Sequence, residues 1–259
     1  MGMIKAISLI HVRATMNLKA NASQTFLSYF WWLLEPALYV ALFYVVFEVL
    51  MLRGQPGFLF FLIVGKVPFL WVSKSLSSGA NSIRVNKGLM GQMKLPLGIL
   101  PYTNILESLY KQVVVFSVLA IFLFFSLELS PSRDWVALLP VIAVNLLFII
   151  ALALPLAWSA ALIPDVSQLM PIITMGLMFT SGVFFDVNEI SDANMRDALL
   201  TYQPLAFILD AYRDVILRDQ VPDFHHLSVL AGVLFAFIVF WHFLYSKTHY
   251  LLVRRILHS

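Results

Sequence analysis

The 259-residue chain has no cysteine, and charged residues make up only 12% of it. Without cysteine there is no disulfide framework, no Fe–S cluster, no cysteine-ligated zinc and no thiol nucleophile. Soluble domains carry about 25% charged and about 45–50% apolar residues. At 61% apolar, this chain falls outside ordinary cytosolic enzymes, nucleic-acid modules and disordered scaffolds. A phosphate-binding loop is missing as well: Gly65-Lys66 runs into Val67, and the position five before Gly65 is Phe60, so there is no Walker A pattern. No HExxH occurs, and the adjacent His225 and His226 cannot both face one metal from a helix. Acids at membrane depth are too few for a proton relay.

What is present is lipid-soluble. Mean hydropathy is +0.87, and the aromatics are 22 Phe, 9 Tyr and 6 Trp. A bilayer core needs about 20 mostly apolar residues per helix. Six stretches qualify: Leu33–Leu52, Gly57–Val72, Ile105–Leu127, Val136–Ile163, Leu169–Phe185 and Leu227–Tyr245. The second and fifth are short and contain Pro68 and Pro171, which kink or break a helix unless neighbours satisfy the freed carbonyls. The expected fold is an all-α integral membrane protein of six transmembrane helices, a single transmembrane domain over residues 1–259.

Lysine and arginine in short loops set the orientation. Lys5, Arg13 and Lys19 precede the first span, Lys74, Arg84, Lys87 and Lys94 follow the second, and Lys247, Arg254 and Arg255 follow the sixth, with no acid in these segments. The opposite side carries Arg53, Glu128, Arg133 and Asp134, then an acidic run from Asp186 to Asp223. Both termini are therefore expected inside. The early basic residues also argue against a cleavable signal peptide.

Three segments outside the lipid are informative. Residues 1–30 have an apolar flank (Ile4, Ile7, Ile10, Met16) and the basic Arg13 and Lys19, which suits a helix lying in the inner interface. Anchoring the first span and docking a partner are both open for it. Residues 73–103 form an inner segment far longer than a helix connection needs. Its polar run includes Ser77, Asn81, Arg84, Asn86 and Lys87, a candidate docking surface. Residues 186–224 hold an amphipathic stretch, Leu205–Arg218, expected at the outer surface as a re-entrant cap or a lid on loop ends. Ile208, Tyr212 and Val215 share its apolar face, while Arg213 is expected to pair locally with Asp210 and Asp214.

Ionisable residues within spans are functional candidates because they are expensive there. Glu107 and Lys111 stand four apart and are expected to pair. Glu35, followed by Pro36, suits the first turn of a helix. Lys66 sits mid-span and would be neutralised by a partner such as Glu48.

Four places carry a family resemblance: Trp31-Trp32-Leu33-Leu34-Glu35-Pro36 at the first span; Val67-Pro68-Phe69-Leu70-Trp71 followed by the Ser/Asn stretch to Leu89; Lys94-Leu95-Pro96 with Pro101; and Gln203-Pro204-Leu205 with Arg213. In these the chain resembles the type-2 ATP-binding-cassette exporter permeases of the branch that exports bacterial O-antigen and capsular polysaccharide. Gln203 stands where Asn is usual, and the tail lacks the acidic ending of many O-antigen members, so O-antigen and capsule are both open.

The resemblance implies a homodimeric channel in the bacterial inner membrane and a lipid-linked polysaccharide as cargo. It also implies two separate ATPase subunits that bind ATP and Mg, this chain holding no cofactor and no metal. Periplasmic or outer-membrane export components are further partners it allows. Ser77, Asn81, Arg84, Asn86 and Lys87 become ATPase-coupling candidates, with Arg13 and Lys19 at the N-terminal interface. Trp31, Trp32, Glu35, Phe69, Trp71, Ile208, Tyr212, Arg213 and Val215 become channel or gate candidates. Sugar rings pack their C–H faces on aromatic rings, which fits such a cargo. The alternatives are a permease for a drug, lipid or other small molecule, and a membrane-embedded transferase, which would need an acid or His cluster at one face.

Overall fold

One helix organises the protein because its sequence leaves no polar stripe through its first half. From Leu62 to Val72 every residue is buried, so this helix has neighbours on all sides. The computed structural model describes residues 3–23, 28–50, 57–90, 96–127 and 133–258, and among these no strand occurs.

In chain order the helices are α1 (Met3–Ser23), α2 (Trp31–Tyr44), α3 (Phe58–Val85), α4 (Lys87–Met90), α5 (Ile99–Leu127), α6 (Leu138–Leu162), α7 (Asp165–Thr180), α8 (Ala193–Tyr202), α9 (Pro204–Ile216) and α10 (Phe224–His258). A 3-10 turn, Ser28–Phe30, leads into α2, and a π-helical turn, Val45–Leu50, extends it. The buried helix is α3, which packs against α2, α5, α6, α7 and α9.

Small residues allow a close approach between α3 and α6. A Cβ added at Gly79 would stand 2.9 Å from the Ala153 Cβ, and Ala151, Ala157 and Ala160 are also fully buried. In lipid, helices associate through such close van der Waals contact, since hydrocarbon tails supply no hydrophobic drive between them. The α6–α10 pair adds polar ties. The Tyr245 hydroxyl donates to the Leu154 carbonyl at 2.9 Å, and the Trp158 indole donates to the Thr248 hydroxyl at 3.1 Å.

Among the described residues four helical stretches are long and apolar enough to cross a membrane: Phe58–Val85, Ile99–Phe125, Trp135–Leu162 and Phe224–Thr248. Trp31–Phe47 is a shorter apolar helix, and α7 has 16 residues. The long helices display large apolar side chains outward, among them Ile121 and Phe125 on α5 and Val233, Phe235 and Phe243 on α10. Water-soluble monomers rarely expose apolar area on this scale, so the protein reads as a multi-pass membrane protein.

Two boundaries differ from the sequence reading. The second apolar stretch does not end at Val72, because α3 continues to Val85, and α5 already starts at Ile99. The Ser/Asn-rich composition hides a helical repeat in which Leu76, Ala80 and Ile83 are buried and Ser75 and Ser82 face neighbours. The described non-helical part of residues 73–103 is therefore small, and Lys94 and Leu95 lie outside the described residues. Glu35 is not in the first turn of its helix, since the preceding 3-10 turn lets α2 begin at Trp31 and places Pro36 inside it.

α1 lies along α5. Ala14 is completely buried, while Ile4, Ile7 and Met16 are more than half exposed. An apolar flank left uncovered by protein is what an interface-lying helix presents to lipid.

Candidate functional site

A cleft of about 470 Å³ opens between α1, α2, α3 and α5. It gathers Trp31, Trp32, Glu35 and Trp71, four of the residues that the sequence singles out, and adds Asn21, Lys74, Ser78, Asn104, Glu107, Lys111 and Gln112. The charges in its wall are paired. Lys74 Nζ sits 2.6 Å from Glu35 and Lys111 Nζ 2.7 Å from Glu107. The second pair is the expected i,i+4 one, and Asn21 of α1 also donates to the same Glu107 oxygen at 2.8 Å. The Lys111 ammonium lies 5.8 Å from the centre of the Trp32 ring, which stands edge-on to Tyr29. Trp71 is buried, its indole N–H donating to Ser108 at 3.3 Å. Trp31 is 41% exposed. Gln112 is 7% exposed and its side-chain NH₂ has no hydrogen-bond partner among the described residues.

Phe69 is not in this cleft. It belongs to a box of rings around Lys66, whose ammonium lies 4.8 Å from the Phe43 centroid, 5.1 Å from Phe69 and 5.3 Å from Tyr39, and 2.9 Å from the Met178 sulfur. Cation–π attraction of about 2 kcal/mol in a dry setting partly offsets the desolvation of the charge. The Glu48 side chain, the partner expected from the sequence, lies outside the described residues.

At the end of the bundle that holds α4, the candidate coupling residues split. Arg84 and Lys87 are exposed, and Arg84 donates to the Pro164 carbonyl at 3.3 Å, reaching the α6–α7 turn. Asn81 bonds back to the Ser77 carbonyl and Asn86 to that of Ser82, each within its own helix end. Asn86 also accepts from Arg13 of α1 at 2.9 Å. Lys19 is exposed on α1.

At the opposite end, α9 is not a surface helix. Ile208, Tyr212 and Val215 are at most 2% exposed, and so is Arg213, because α3 and α6 cover both faces. Arg213 pairs with neither Asp210 nor Asp214. Its guanidinium stacks 3.6 Å from the centre of Phe61, fits against Gly65, where any Cβ would collide with it, and donates to the Val183 carbonyl at 3.2 Å. The carboxylates go to Arg218 instead, at 2.6 Å from Asp186, 2.8 Å from Asp210 and 2.6 Å from Asp214. Once α9 ends, the Arg218 N–H bonds back to the Arg213 carbonyl, which brings Arg218 alongside the acids.

Burial alone would raise the Asp186 carboxyl, but the Asn188 backbone N–H and the Arg218 guanidinium hold it below its usual range. Burial likewise opposes the Arg218 charge, and the three carboxylates outweigh it, pushing its pKa upward. Asp214 moves the other way, raised by burial first and, despite Arg218, by the charges of Asp210 and Asp186. The two partners differ because three acids share one guanidinium.

No family model matches the chain. It is 27% identical over 218 residues, 83% of each chain, to the O-antigen export system permease protein RfbA of Myxococcus xanthus. A Klebsiella pneumoniae protein of the same name is 22% identical over 223 residues, 86% of this chain and 85% of the relative. The chain is similar to permeases named for polysaccharide export. The polysialic acid transport protein KpsM of Escherichia coli is 24% identical over 210 residues, 79% of this chain and 80% of the relative. The likeness to these permeases extends over about four-fifths of each chain rather than one motif.

Several residues of the site have no signal in the sequence. Lys74 and Asn21 join Glu35 and Glu107 from other helices, and Gln112 is one amide in an apolar helix. Arg218 did have a signal, since Asp214 precedes it by four.

Proposed function

We propose that this chain is the permease subunit of an ATP-driven exporter of a lipid-linked polysaccharide, O-antigen or capsule, across the bacterial inner membrane. The observation that carries the reading is the likeness, over most of both chains, to permeases named for O-antigen export and polysialic acid transport. In this reading two copies form the channel and each works with one ATPase subunit, which binds ATP and Mg. Six spans cross the membrane with both termini inside, α2 and α7 being the first and fifth. The end bearing Arg84 and Lys87 faces the cytoplasm, in keeping with the positive-inside bias.

Arg84, Asn86 and Lys87, with Ser77 and Asn81 behind them, form the contact with the ATPase, and Arg13 and Lys19 hold α1 to the inner interface. At the outer end α9 works as part of a packed wall: Ile208, Tyr212 and Val215 close the exit by being core, with Arg213 locked behind them. The test is reconstitution. The purified chain alone should hydrolyse no ATP, while the complex with its ATPase should raise its turnover when given a lipid-linked oligosaccharide. ATP turnover by a preparation free of any ATPase, or a complex indifferent to every lipid-linked glycan, would overturn the proposal.

A further inference from the structure

The cleft between α1, α2, α3 and α5 has the chemistry of a sugar site. We infer that it seats a neutral sugar ring close to the lipid anchor of a membrane-bound glycan, and that it does not hold the phosphate of that anchor. The source of the sugar rests on the polysaccharide-export reading, whereas the chemistry of the seat rests on the cleft itself.

The cleft's volume of about 470 Å³ falls within the usual range of small-molecule sites, about 300–1,000 Å³. Its charges cancel in place: Glu35 is held by Lys74 and Glu107 by Lys111, at 2.6 and 2.7 Å. A phosphate accepting the remaining ammonium protons would sit beside Glu35 or Glu107, an arrangement that like-charge repulsion opposes. A sugar needs no such exchange. Its hydroxyls both donate and accept, so they can join paired charges at their free lone pairs and protons.

Two further observations point to a polyol. The Gln112 NH₂ group lines the cleft, is almost wholly buried and lacks a partner among the described residues. A buried donor left unmade is costly, and a hydroxyl oxygen in the cleft would satisfy it. Trp31 lines the same cleft with 41% of its surface exposed, an indole available to the C–H face of a ring. Asn21 of α1 forms part of the wall, so with α1 in the inner interface, as the export reading has it, the cleft lies near headgroup level.

The experiment uses the full chain with its ATPase partner in lipid nanodiscs. The probe is decyl β-glucoside carrying a diazirine in the linker next to the sugar, and photolabelled peptides are mapped by mass spectrometry. Labels should fall on the peptides holding Trp31 and Gln112. Unlabelled decyl β-glucoside should compete for them and decyl phosphate should not.

Trp31→Ala and Gln112→Leu should each lower labelling about five- to tenfold, the worth of one lost polar or stacking contact. Gln112→Leu removes an unpaired donor and leaves packing filled, so loss of fold does not confound it. Equal competition by decyl phosphate, or unchanged labelling in both variants, overturns the inference. Export is scored in the same preparations. Normal export without cleft labelling sinks this inference alone, and cleft labelling with no glycan export sinks the export reading alone.

Discussion

Arg13 of α1 donates to the Asn86 side-chain oxygen at 2.9 Å, so the N-terminal helix is fastened to the residue that follows α3. On the same helix, His11 meets the Tyr110 hydroxyl at 2.7 Å and Asn21 meets Glu107 at 2.8 Å. α1 is thus tied to the bundle at three points, more than an anchor for the following span requires.

If the Arg13–Asn86 tie passes motion from the docking end, its two halves should be coupled in function. Arg13→Met and Asn86→Ala should each reduce export, and the double variant should be little worse than either alone. A double-mutant cycle on export rate should show an interaction of about 0.5–3 kcal/mol. Additive losses would mean that the bond carries nothing. Reversing Arg84 and Lys87 to Glu should also reduce export, with membrane insertion intact, because both are exposed where partner acids would meet them.

Gly65 leaves room for a guanidinium. Gly65→Ala should lower stability by about 1–3 kcal/mol through overpacking, measured as a drop in thermal unfolding temperature in detergent. Combining it with Arg213→Met, whose flexible thioether can give way, should recover much of the loss. Failure of that rescue would show that the strain lies elsewhere on α3.

The two arginines near the acids should behave differently. Arg218→Met leaves Asp186, Asp210 and Asp214 without their shared counter-charge and should destabilise by about 2 kcal/mol, less than the 3–5 of a fully buried pair because water reaches part of the cluster. Arg213→Met removes a buried cation that makes no ion pair and should come close to neutral. Unfolding of the two variants side by side tests this, and a reversed order would assign the acids to Arg213.

The absence of cysteine makes orientation easy to measure. Asp197→Cys should react with a membrane-impermeant maleimide on intact cells, and Lys87→Cys only after the membrane is opened. Both positions are exposed, so the opposite result would invert the proposed orientation.

The long apolar runs, the Glu107–Lys111 spacing and the apolar flank of α1 were legible because each is a local repeat. Chain extension past Val72 was not, because Ser and Asn mask the spacing of Leu76, Ala80 and Ile83. The gathering of Trp31, Trp32, Glu35 and Trp71 could be foreseen only as a set of candidates. Their convergence on one cleft, and the capture of Phe69 by Lys66 instead, depend on how α2 rotates against α3. The burial of α9 was missed for a related reason. Its hydrophilic side looks solvent-facing until Gly65 opens a berth for Arg213 and Arg218 takes up the acids.

With 28 residues in an unbroken helix, α3 is a rod about 42 Å long. It bears Arg84 near one tip and Phe58 at the other, and it is held at its middle by the packed residues around Trp71 and, nearer the Arg84 tip, by the tight Gly79–Ala153 crossing. Tilting such a rod about 5° around its centre swings each tip by about 2 Å in opposite directions. A push delivered at Arg84 would therefore arrive beneath Phe61 and Arg213 as a counter-swing, by leverage alone, with no chain of side-chain rearrangements between the two membrane faces.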